Sequence, residues 1–184
     1  MVAANVIKPI SIDEFIAFAL RPENSDREFE FLNGDVVEIL PTSTYLSQIP
    51  HLLAVRVYPY CEDRQIRCYI SGATGPYHVQ GNVVVPKFAY KRTPMSDEYP
   101  DPVAPLWTMH VVSPTDHILP LRARRNIYIA AGILYWEMYP TAQSVDVYAP
   151  GQPMRTVNID GVLDGGGVLP DFTLPLKDLF PVSA

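Results

Sequence analysis

Apolar positions along the chain switch between a period near 3.6 and a period of two, and the switches mark its elements. Ser11-Ile12-Asp13-Glu14 is a capping box followed by Phe15, Ile16 and Ala19 at helical spacing, which predicts a helix over 11–20. Two strand-like runs, 28–32 and 35–40, are joined by Asn33-Gly34, the dipeptide suited to a two-residue turn with positive φ at both positions. Helical spacing returns at Ile49, Leu52, Leu53, Arg56 and Tyr60, interrupted by Pro50 and Pro59. Proline is tolerated in a first turn and resisted in a helix interior, so over 44–64 either the helix begins at Pro50 or it is kinked twice, and a start near Pro50 is the expectation. Strands are predicted at 66–71, 77–79, 83–85, 88–90 and 107–112. A second helix should run from about Pro120 to Ala131 and end at Gly132. Further strands follow at 134–139, 144–148 and 154–159, with a last turn over 175–180. Gly165-Gly166-Gly167 has no neighbouring Lys-Ser/Thr and reads as a turn. The fold class is α/β (α+β): one domain over 1–184, with a mixed sheet flanked by helices.

Composition agrees with a globular chain: 48% hydrophobic and 18% charged in 184 residues. No apolar run reaches the roughly 18 residues of a membrane span, and residues 1–9 lack a secretory pattern, so a cytoplasmic protein is expected. Docking of 1–9, on its own domain or on a neighbouring copy, is a further expectation. Net charge is −6, with 14 basic against 20 acidic residues, which weakens a duplex-binding role. Cys61 and Cys68 form no zinc or redox motif. Residues 93–105 carry four prolines and three acids and predict an exposed, extended loop.

Arg124 breaks the pattern of its helix. It falls inside the apolar arc of Leu121, Ile127, Tyr128 and Ala131, whereas Arg122, Arg125 and Asn126 occupy the opposite, solvent-facing arc. A charge in a buried stripe needs a partner, and Glu30 is a candidate, with Asp35 and Glu38 as others. The four histidines, His51, His78, His110 and His117, show no paired spacing for a metal. Ser113 lies in Val-Val-Ser-Pro rather than in a nucleophile elbow.

Five motifs in order carry a resemblance. Glu28 through Glu38, with Asn33-Gly34 inside, is followed by Val83-Val84-Val85-Pro86 and by Val111-Val112-Ser113-Pro114-Thr115. Arg124 through Tyr128 leads to Ala131-Gly132 and Tyr135-Trp136, and Leu169-Pro170-Asp171-Phe172 closes the series. Over residues 11–181 this order resembles the Uma-two restriction endonucleases of the PD-(D/E)XK superfamily. The resemblance implies a restriction-endonuclease-like core and a Mg²⁺ site built from an Asp, a Glu, a Lys and an upstream Glu. Only the last, Glu30, is kept. Lys87 stands where the family has Asp, His110 where it has Glu, and Arg124 where it has Lys. An ammonium at the metal position repels a divalent cation, and one His with one Glu suits magnesium poorly. The expectation is a degenerate site of Glu30, Lys87, His110 and Arg124, without metal or other cofactor, in which Lys87 replaces the ion and pairs with Glu30. The expected role is a structural or protein-interaction subunit that self-associates. Two alternatives stand beside it. One is a metal-dependent DNA endonuclease with a rearranged site recruiting Glu30, Glu38 and Asp116. The other is a non-cleaving nucleic-acid-binding module using Arg122, Arg125 and Lys91-Arg92.

Overall fold

The computed structural model describes residues 10–180; the expected docking of 1–9 lies outside them. In chain order the elements are α1 (Ile12–Ala19), β1 (Glu28–Leu32), β2 (Asp35–Ile39), α2 (Thr44–Asp63), β3 (Tyr69–Ser71), β4 (Tyr77–Val79), β5 (Asn82–Val84), β6 (Phe88–Lys91), β7 (Trp107–Val111), α3 (Ile118–Ala130), β8 (Leu134–Tyr139), β9 (Ser144–Tyr148), β10 (Arg155–Asn158), β11 (Val162–Gly165) and β12 (Leu169–Pro175). They form a six-stranded sheet in the order β10-β9-β8-β7-β6-β3, a four-stranded sheet β2-β1-β5-β4 and the hairpin β11-β12. Every strand pair is antiparallel except β7 and β8, whose connection is α3. A parallel pair needs such a crossover. The fold is mixed α+β, with a mixed central sheet.

The capping box at Ser11 is present, with reciprocal Ser11 and Glu14 bonds, and the Asn33-Gly34 turn joins β1 to β2 with positive φ at both residues. Correction comes at α2, which begins at Thr44 under a Ser43 cap and carries both Pro50 and Pro59 in its interior. The reason is burial. Ile49, Leu53, Val57 and Cys61 recur every four residues with no exposed surface and pack on the six-stranded sheet, and each such side chain contributes about 1.5–3 kcal/mol. That outweighs two missing backbone bonds. The expected strand at 66–71 shortens to β3, because Gln65 leaves α2 with φ +55° while Ile66 N–H donates to the Cys61 carbonyl. The 162–165 and 169–175 strands were not expected at all. The Gly165–Gly167 turn joins them.

The 93–105 segment is not the freely exposed loop its prolines suggest. Asp101 is buried and takes the buried Lys91 ammonium at 2.5 Å. Its carboxylate also accepts from the Ser96 and Val103 N–H groups, and its backbone bridges Tyr77. One side chain folds the whole loop back onto β4.

Candidate active site

Strand alternation aims one carboxylate inward. On β1, Phe29 and Phe31 pack with Phe15, Val36 and Val83, and Leu32 joins a separate cluster around Tyr128 and Tyr135. Glu30 lies on the Leu32 side with 0% exposure. α3 lies against both β1 and β8, and its buried face brings Arg124 to that carboxylate. Arg124 Nη2 donates to Glu30 Oε2 at 2.5 Å, and its Nε is 3.1 Å from both oxygens. The Val85 N–H donates to Oε1 at 2.9 Å. A carboxylate offers about four lone-pair sites; three N–H donors, with Nε shared between the two oxygens, engage both Oε1 and Oε2. Burial alone disfavours the charged guanidinium, yet the Glu30 charge overrides it and holds the Arg124 pKa above its ordinary value.

The partner expected from the sequence for Glu30 is therefore corrected. Lys87 does not pair with it, because Arg124 and Val85 already occupy both oxygens. Lys87 follows Pro86 at the junction of β5 and β6, and its N–H donates to the Met109 carbonyl. Gly72 makes room for it. A Cβ there would sit 2.4 Å from the Lys87 carbonyl oxygen. The Lys87 side chain is half-buried, lines the cleft and has no ion-pair partner among the described residues.

His110 sits on β7, 4% exposed, with Nε2 3.2 Å from Asp116 Oδ2. Desolvation first, and the Arg124 charge second, lower its pKa, so the ring is neutral at pH 7. It holds Asp116 as an N–H donor rather than as a cation. Burial would raise the Asp116 pKa, but the His110 and Ser113 hydrogen bonds and the Arg124 charge carry it well below the carboxylate range. Glu30, Lys87, His110 and Arg124 thus meet at one cleft between β7, α3 and the β5–β6 junction, and Lys87, His110 and Arg124 line its cavity with Asp116 and Glu38.

Two more charges differ from expectation. Arg125 is not on a solvated arc: it bonds Glu137, which is fully buried on β8 and also accepts from the Tyr135 and Tyr139 hydroxyls. That hydrogen bond raises the Arg125 pKa above its ordinary value. Glu137 was missed, although a lone acid inside the apolar run 134–139 was its signal. Lys91, expected as a phosphate contact, is 1% exposed and committed to Asp101. The two thiols are free, and burial beside Cys61 pushes Cys68 up to about 12, which removes it as a nucleophile at neutral pH.

With this geometry, comparison with known proteins decides the family. A family model described as "Uma2: Putative restriction endonuclease" matches residues 12–177. The chain belongs to the Uma2 family. A solved structure with the same fold is the crystal structure of a putative nuclease belonging to DUF820 from Anabaena variabilis, 20% identical, with a TM-score of 0.75 over 94% of this chain and 98% of that one. No curated protein matches. Around Glu30 three N–H groups engage both carboxylate oxygens, and the Lys87 side chain lines the same cleft. Among the described residues no three His, Cys, Asp or Glu side chains group closely enough to hold a metal. Also among the described residues, no helix is long and apolar enough to cross a membrane.

Proposed function

We propose that this Uma2 protein does not cleave DNA by a metal-dependent route and serves as a self-associating structural or interaction subunit. The observation that carries the first half is the engagement of both Glu30 oxygens by Arg124 and Val85 in a site closed to solvent. The other acids that a rearranged site would recruit are also engaged. Glu38 is held at 2.6 Å by Arg27, and Asp116 by His110 and the Ser113 N–H. A divalent cation at Glu30 would have to break the buried Glu30–Arg124 ion pair to enter, and the released Arg124 would remain beside it as a repelling charge.

Isothermal titration of the full chain with Mg²⁺ and Mn²⁺ tests this, with a supercoiled-plasmid nicking assay in parallel. The expected results are no saturable metal binding and no nicking. Micromolar Mn²⁺ binding, or nicking, that disappears in Glu30→Ala would sink the reading.

Self-association rests on a different surface. β3 is an edge of the six-stranded sheet, an unpaired row of backbone donors and acceptors. Beside it α2 exposes Val55 and Tyr58. Light scattering at micromolar concentration should give a mass above the 20.6 kDa of one chain, and Tyr58→Glu should lower it. A monomer at all concentrations would remove the second half of the proposal and leave the first standing.

A further inference from the structure

Two cationic side chains of the cleft keep donors that the fold does not use. Arg124 gives Nε and Nη2 to Glu30, but its Nη1 is buried without a hydrogen-bond partner. The Lys87 ammonium has no ion pair among the described residues. Both residues line a single cavity of about 150 Å³. The remaining wall is chiefly apolar, with Val37, Ile39, Leu46, Pro50, Val85 and Val111. Leu40 in that wall is itself exposed and carries the apolar character to the surface. Apolar walls with a few convergent polar groups are the usual makeup of a small-molecule site.

We propose that the cleft binds a small organic carboxylic acid with an apolar body. Its carboxylate accepts from Lys87 Nζ and, after a turn of the guanidinium that opens it to the cavity, from the unpartnered Nη1 of Arg124, and its hydrocarbon part lies against Leu46, Pro50 and Val111. The inference rests on the preceding reading of a site that takes no metal. A buried N–H without an acceptor is unfavourable, and a carboxylate supplies one. A neutral apolar molecule would leave that N–H as it is. A phosphate dianion would bring twice the charge of a carboxylate against Glu38 and Asp116 in the same wall, with no apolar body to set against Leu46, Pro50 and Val111. A cation would meet Lys87 and Arg124. His110 Nδ1, also buried and unpartnered, is the lone-pair side of a neutral ring and takes no part in holding the anion.

Titration calorimetry of the full chain with hexanoate, benzoate, hexanamide and orthophosphate tests the proposal. Both acids should bind saturably, and hexanamide and orthophosphate should not. Lys87→Gln should weaken hexanoate at least tenfold. Ser47→Trp gives a second arm, independent of charge: placed in the wall from the exposed side of α2, it should abolish hexanoate binding while the thermal transition is kept. Equal binding of hexanamide, saturation by orthophosphate, no binding of either acid, or hexanoate binding unchanged in both variants overturns the proposal. Its failure is distinguishable from failure of the metal-free reading, since only the latter would show Mn²⁺ binding and nicking.

Discussion

Removing the guanidinium of Arg124 would strand a carboxylate at Glu30 with no solvent and a single donor, the Val85 N–H. Arg124→Met should therefore cost about 3–5 kcal/mol, read as a fall in the urea midpoint. The double variant Glu30→Gln/Arg124→Met should recover part of that loss, because the amide oxygen still accepts from Val85 and no charge is left. His110 makes a prediction of the opposite kind. Its folded pKa lies below that of the unfolded chain, so the unfolded state binds a proton first as pH falls. Stability is full above about pH 6.5 and declines on acidification, with a slope of at most about 1.4 kcal/mol per pH unit from this group. Urea midpoints between pH 7 and 5 should fall less steeply in His110→Gln. At this scale the sequence disclosed half of the site. The helical wheel placed Arg124 in the core and named Glu30 among its partners. It could not rank Lys87 against Arg124 for one carboxylate, because that depends on how α3 and the β5–β6 junction are set against β1. Arg125 misled for a similar reason. A wheel gives the direction of a Cβ, and a long side chain can turn back to a buried acid such as Glu137.

The helix ends show what local rules can and cannot fix. α3 closes as its Gly132 predicts: Gly132 has φ +68°, Ile133 N–H donates to Tyr128 and Gly132 N–H to Ile129. α2 closes with the same pair of bonds, from Ile66 to Cys61 and from Gln65 to Glu62, yet the left-handed position is held by Gln65. A side chain there is strained, so Gln65→Gly should raise stability by up to about 1 kcal/mol in thermal or urea unfolding. Gly72→Ala should do the reverse. The added Cβ meets the Lys87 carbonyl oxygen, part of a bonded strand junction rather than a flexible tip, at an expected cost of about 1–3 kcal/mol. Prolines hid the start of α2, since its first turn, Thr44–Ser47, lies upstream of Pro50 and holds little apolar pattern. β12 was hidden because Pro170, Pro175 and a positive φ at Asp171 obscure its alternation. It is a strand only through its pairing with β11 and the packing of Phe172, Leu174 and Leu169 on α2 and the large sheet.

Across the whole molecule the charge distribution argues against duplex binding more strongly than the net −6 does. Of the cations offered for phosphate contact, Lys91 is sealed against Asp101 and Arg125 is tied to Glu137, leaving Arg92 and Arg122 exposed on separate elements. A labelled duplex should not be retarded even at about 50 mM salt, where phosphate contacts are strongest; a salt-steep shift would contradict this. Fold class, the mixed sheet and the order of elements as far as β10 were legible, because periodicity survives in a single chain. Division into a six-stranded and a four-stranded sheet was not, since it depends on which strand edges meet.

The Glu30–Arg124 clasp has a consequence for any attempt to build a metal site into this chain. Placing Asp at 87 and Glu at 110 would add two acids to a pocket whose third acid is still locked to a guanidinium. Unlocking it first, through position 124, exposes the fold to the penalty of an orphaned anion. Adding acids or removing Arg124 one at a time is unfavourable before an ion is there to offset it, so such a site would have to be introduced by several substitutions together.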